Sequence, residues 1–143
     1  MQTKEELTRV RSILDKAGKL VAKGWVKNYL WTNEEGKPQD ADHATRFCTI
    51  GAVIYAERLL TGKLITFYWE YSPEVNTAMK TLSGVIGIND QYIADWNNRQ
   101  CRTQKDVVKA FEKAVDAVDA ELIALNVEEA LKTPIQATLF EMV

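Results

Sequence analysis

A chain of 143 residues with a net charge of −2 is sized for one domain and is long enough to bury a substantial core. Its 46% hydrophobic and 27% charged residues suit a folded globular chain rather than a disordered one, and no apolar run approaches the ~20 residues of a membrane span. Two cysteines and one histidine exclude a disulfide scaffold and leave a structural zinc site short of ligands.

The charge is unevenly spread. Residues 1–105 hold 15 basic and 12 acidic side chains, and residues 106–143 hold 3 and 8. A swing from +3 to −5 is too mild for a dedicated nucleic-acid binder. Nucleic acid, membrane, metal and cofactor are therefore not among the expected partners. The polar start, Met1 to Glu6, differs from a secretory signal, so the expected location is cytoplasmic.

Thr3 reads as the N-cap of a first helix, with Glu6 three residues on completing a capping box. Leu7, Val10, Ile13, Leu14, Ala17, Leu20 and Val21 repeat at helical spacing, Gly24 marks the stop and Trp25 anchors the chain just beyond. Val26 to Thr32 is expected to be extended, with Tyr29 and Trp31 on one side. Asn33 to Asp42 is an acidic loop without the spacing of a calcium site. Asp42 is the expected N-cap of a second helix that reaches Leu60 and stops at Gly62. Residues 63–71 are rich in β-branched and aromatic side chains and are expected to pair with 26–32 as a small hairpin.

Ser72-Pro73-Glu74 carries the signals of a helix start, and Val75, Met79, Leu82 and Ile86 give that third helix its apolar face. Ile88, Tyr92 and Trp96, spaced by four, predict a short helix or turn. Thr103, with Asp106 three residues later, caps the longest helix. Val107, Val108, Phe111, Val115, Val118, Leu122 and Leu125 hold its apolar face, and Asn126 separates it from a short helical piece that ends near Thr133-Pro134. The expected fold is mainly α: a compact bundle of about four principal helices with a small β-hairpin and the Thr103 helix at its centre. Residues 1–134 form this single helical domain. Residues 135–143 form an apolar tail that docks on the core or on a partner.

Two segments crowd small, polar, aromatic and cationic groups together: Arg46 to Ala52, and Trp96 to Thr103. Cys48 lies near a predicted helix start, where the backbone dipole lowers a thiol pKa. A nucleophile also needs a base within about 3 Å, and His43, five residues earlier, sits about 140° away around a regular helix. The favoured reading is packing, with Cys48, Gly51 and Ala52 letting another helix approach closely. A cysteine-dependent enzyme built on Cys48 is an alternative, and no catalytic residue is assigned. Trp96-Asn97-Asn98-Arg99 reads first as a structured turn. The alternative there is an anion or nucleotide pocket built from Arg46, Asn97, Asn98, Arg99, Arg102 and Thr103, with arginines flanking the positive N-terminus of the Thr103 helix. Two lysine rows, Lys16-Lys19-Lys23-Lys27 and Lys105-Lys109-Lys113, are expected to be solvated faces.

Gly24-Trp25, Cys48-Thr49-Ile50-Gly51-Ala52, Ile93 to Asn98, and Arg102-Thr103 before a valine-rich helix occur in that order. In this the chain resembles a family of small bacterial and phage proteins known only as a domain of unknown function. Its members show G-W, an acidic glycine-containing loop, C-x-x-G-A, and W-N-D followed by R-T and a final helix. The resemblance covers about residues 5–120 and departs at Asn98, where the family has aspartate. It implies no reaction, and it implies a phage or mobile-element origin. The expected function is that of a small accessory protein that binds a host protein, for example as a counter-defence inhibitor. Self-association through the C-terminal tail is a further expectation.

Overall fold

The structure, a computed structural model, describes residues 2–38, 40–62 and 71–132. The first helix, α1, spans Lys4–Lys23. The Thr3 hydroxyl accepts from the Glu6 amide at 3.1 Å, and Gly24 closes the helix by donating to the Leu20 carbonyl. Strands β1 (Trp31–Thr32) and β2 (Arg46–Phe47) pair antiparallel, Trp31 opposite Phe47. Then follow α2 (Thr49–Thr61), α3 (Pro73–Ile86), the short α4 (Ile93–Asn98) and α5 (Gln104–Lys132). The mainly α bundle of four principal helices is thus the observed fold.

The core forms where the apolar faces meet. Leu7, Val10, Ile13, Leu14, Ala17 and Val21 of α1 are buried, together with Val53 and Ala56 of α2, Val75, Met79 and Leu82 of α3, and Val107, Phe111 and Val118 of α5. Burying each large apolar side chain contributes about 1.5–3 kcal/mol. The central element is α1, which packs against α5, α2 and α3, whereas α5 packs mainly on α1 and α3. The expectation of a central α5 fails because its fully buried face stops at Val118; beyond it Leu122 and Leu125 are half-buried. Helices α1 and α5 run antiparallel. Lys4 meets Glu129 at 3.6 Å, Arg11 forks onto Asp119, and the Gln104 amide donates to the Val21 carbonyl at 2.7 Å.

Other expectations are corrected. Asp42 starts no helix; it lies in a 3₁₀ turn, Ala41–His43, and α2 begins seven residues later with Cys48 as its N-cap. The reason is competition from tertiary hydrogen bonds. The amides of Thr45, Phe47 and Cys48 donate to the carbonyls of Thr32, Gly24 and Leu30 at 2.9–3.0 Å, so this backbone is engaged before a helix can form. The strand that pairs with β1 among the described residues is 46–47; residues 63–70 of the expected 63–71 partner lie outside the described residues. Tyr29 and Trp31 do not share a side, since Tyr29 is exposed and Trp31 buried, paired across the strands with Phe47 and edge-on to the Tyr55 ring. Asn126 does not interrupt α5, because its exposed side chain leaves the helical backbone intact. The 135–143 tail also falls outside the described residues.

Candidate functional site

The motif-bearing segments converge on one buried amide. Short α4 carries Ile93, Trp96 and Asn97 inward, and Asn97 is fully buried. Three donors meet at its Oδ1: the Trp25 indole N–H at 2.8 Å, the Thr49 amide at 3.0 Å and the Thr49 hydroxyl at 2.7 Å. Its Nδ2 donates to the Val26 carbonyl at 3.2 Å and to Asn98 Oδ1 at 3.0 Å. Asn98 Oδ1 also accepts from the Asn28 amide at 2.8 Å, which steadies Asn28 in its left-handed conformation at φ 71°. The convergence of donors fixes which way the Asn97 amide points and saturates both of its ends. One side chain therefore joins the exit of α1, the start of α2 and α4.

Backbone approach completes this knot. A methyl at Gly51 would lie 1.9 Å from the Leu30 carbonyl oxygen, and one at Gly24 would lie 2.3 Å from that of Thr45. Only glycine leaves room for the chain at both crossings. The small residues after Cys48 were expected to admit a helix; what they admit is the Leu30 loop. Cys48 itself caps α2, its sulfur accepting from the Gly51 amide at 3.2 Å. Burial pushes its thiol pKa up, against the smaller lowering by the Gly51 and Ile50 amides. The expected depression by the helix dipole is overridden because a thiolate there would be stripped of water. His43, weighed as a base for Cys48 and set aside on helix geometry, pairs with Asp40 in the exposed turn.

The remaining anion-site candidates separate. Arg102 is half-buried, donating to the Trp96 carbonyl at 2.9 Å and lying over the Trp96 ring at 4.1 Å. Thr103 and Asp106 cap each other's amides at 3.2 and 3.0 Å, so the N-terminus of α5 already holds a carboxylate. The hydrogen bond from the Thr103 amide, with the Thr103 side chain and the Arg102 charge adding to it, holds Asp106 below the usual carboxylate range. Arg99 is exposed, and its carbonyl accepts from the Lys27 ammonium at 2.6 Å. Arg46 lies on β2, 3.8 Å from Glu34. Asn97, Asn98, Arg102 and Thr103 thus share one region, with their principal polar atoms bonded within the chain.

The lysine rows line different grooves. Lys19 borders one between α1 and α5 with Glu112 and Asp116, whereas Lys109 and Lys113 border another with Arg102 and Trp96. A cleft of about 720 Å³ between α1, α2 and α3 carries the Arg9–Glu74 pair, Glu57 and Tyr71. Glu57 accepts from the Ser72 hydroxyl, the residue that caps α3. Among the described residues no three His, Cys, Asp or Glu side chains are grouped to hold a metal, and no helix is long and apolar enough to cross a membrane.

The outer face of α5 was not singled out in the sequence. From Lys109 to Asp116 it is charged; from Ala120 onward it is apolar, with Ile123, Val127 and Leu131 being 63%, 54% and 74% exposed. Their spacing of four is legible in the sequence beside the Leu122 and Leu125 stripe, which packs on the core as expected.

Comparison with curated proteins and with solved structures yields no match. A family model matches residues 5–117, which takes in every motif at the Asn97 knot and ends just before the apolar outer face of α5. The chain therefore belongs to the family of unknown function DUF6197.

Proposed function

We propose that this protein is a helical binding module that engages another protein through the outer face of distal α5. The observation that carries the reading is the exposed stripe of Ile123, Val127 and Leu131 on the side of α5 turned away from the core. Contiguous large apolar side chains held in water, rimmed by polar residues, mark interaction surfaces rather than structural need. Removing them from water on association favours binding by about 25 cal/mol per Å² before ordering costs. The stripe also lies beyond the family-matched body, where this chain is free to carry its own specificity. The Asn97 knot then serves as framework. A host protein as partner, and a phage or counter-defence setting, rest on the family resemblance alone and belong to the same proposal.

The test is a photo-crosslinking residue placed at Val127, with a control at exposed Lys80 of α3, in cells that make the protein. One adduct of defined mass at position 127, lost on Ile123→Asp, is the expected result. Equal labelling at both positions would sink the reading.

A second reading has one specific observation in its favour. The groove beside Trp96 gathers Arg102, Lys109 and Lys113 against a single carboxylate, Asp106, which suits a ligand with an anionic group and an apolar body. Quenching of Trp96 fluorescence by nucleotides, lost in Lys109→Ala/Lys113→Ala, is its test.

A further inference from the structure

Ile123, Val127 and Leu131 recur every fourth residue, and Ala120, Ala124 and Ala130 lie beside them on the same exposed face. Large side chains alternating with methyls let a second helix seat closely, near the 8–10 Å of ordinary helix pairs. The charges along this face are of one sign. From residue 116 to 132, α5 carries Asp116, Asp119, Glu121, Glu128 and Glu129 against Lys132 alone. Asp119 is held by Arg11 and Glu129 by Lys4, while Glu128 has only a loose contact with Lys132 at 3.9 Å.

Glu121 and Glu128, two turns apart, stand on one edge of the stripe. There they wall a shallow groove of about 250 Å³ whose lining includes Leu7, Ala124 and Leu125. Gln2 forms the groove's other side, its Nε2 donating to the Thr77 hydroxyl at 2.9 Å. Two carboxylates over apolar side chains match a long basic residue, whose methylenes bury while its head reaches the carboxylate oxygens.

Resting on the reading that distal α5 is a contact surface, we propose that its occupant is a basic amphipathic helix of a partner protein. That helix lays apolar side chains over Ile123, Val127 and Leu131 and sets an arginine or lysine against Glu121 and Glu128. A second copy of the chain fits less well. In a two-fold antiparallel pair like edges meet, so the edge with Glu121 and Glu128 would lie against the same edge of the other copy, where Lys132 is the one cation against two carboxylates.

The experiment uses the full chain and two synthetic 18-residue helical peptides with the same apolar stripe, one flanked by arginines and its twin by glutamates. Fluorescence anisotropy is expected to show binding of the arginine peptide alone. The double variant Glu121→Gln/Glu128→Gln should weaken it about tenfold, and Val127→Asp should remove it; all three positions are exposed, and circular dichroism checks the fold. Equal binding of the two peptides, no binding of the arginine peptide, or no loss in the double variant overturns the proposed occupant. If neither peptide binds and sedimentation finds a dimer that Val127→Asp makes monomeric, the stripe is an interface between copies. The contact surface then stands and its basic partner falls. If Val127→Asp changes neither peptide binding nor association, both readings fall.

Discussion

The Asn97 amide oxygen accepts the Trp25 indole N–H at 2.8 Å, across 72 residues of chain. This contact gives the G-W and W-N-N motifs a common physical purpose: the tryptophan closes the end of α1, and the asparagine holds it against the start of α2. Asn97→Asp keeps the size but turns two donated hydrogen bonds into acceptor–acceptor contacts and buries a charge. We expect a loss of about 3 kcal/mol, read as a lower urea midpoint at unchanged slope.

Asn98 behaves differently. Both of its contacts, with the Asn28 amide and with Asn97 Nδ2, use Oδ1 as acceptor, and aspartate supplies that acceptor equally well. The departure from the family's aspartate thus leaves the knot intact. Asn98→Asp should shift stability by less than about 1 kcal/mol, whereas Asn98→Ala should cost about 1 kcal/mol or more by orphaning the Asn28 amide. Chemical denaturation of the two variants side by side decides it; equal losses would mean that the acceptor is not what matters.

Two glycines should respond with opposite sign. Gly51→Ala drives a methyl into the Leu30 carbonyl and should cost about 3 kcal/mol. Gly84 sits in α3 with no described atom within 4 Å of where a methyl would go, so Gly84→Ala should stabilise by about 0.7 kcal/mol through helix propensity. Thermal melts of both variants provide the check.

The two cysteines should be told apart by an exposed-thiol reagent. Cys101 is exposed, and Cys48 is buried with its thiol pKa pushed up. One thiol should react within minutes at neutral pH and the second only after unfolding. Cys48→Ser should keep the fold, because a serine hydroxyl caps a helix at least as well as a thiol. Rapid labelling of both cysteines in the native protein would place Cys48 in water and contradict this account.

His43 and Asp40 pair in the exposed turn, which raises the histidine pKa and lowers that of the carboxyl, each through the hydrogen bond between them. For His43 the favourable coupling is complete below its unfolded pKa and is lost as pH rises through the raised folded value. For Asp40 it is complete above the unfolded carboxyl value and is lost as pH falls through the depressed one. The pair is therefore strongest between those limits. Titration of the His43 ring by NMR should show a midpoint above that of a free histidine, returning toward it in Asp40→Asn.

Local rules made much of the fold legible. The Thr3 and Ser72 caps, the Gly24 and Gly62 stops and the Thr103–Asp106 pair sit where short-range hydrogen bonding places them, because a cap needs only residues within one turn. Asp42 failed as a cap for the opposite reason. It satisfies the local rule, but the amides after it are claimed by Gly24, Leu30 and Thr32, partners that no local window includes.

The same division runs through the candidate sites. By itself the sequence determined which helices form, which faces they bury and which family the chain resembles, since periodicity and caps act through neighbours three and four residues apart. Only the tertiary structure decided that Asn97, Trp25 and Thr49 close one knot, that Cys48 is a cap raised in pKa by burial, and that Ile123, Val127 and Leu131 stay in water. Each of those depends on what lies across the fold. A helix can state its two faces in its own sequence, but which face finds a partner is settled by the elements that pack beside it.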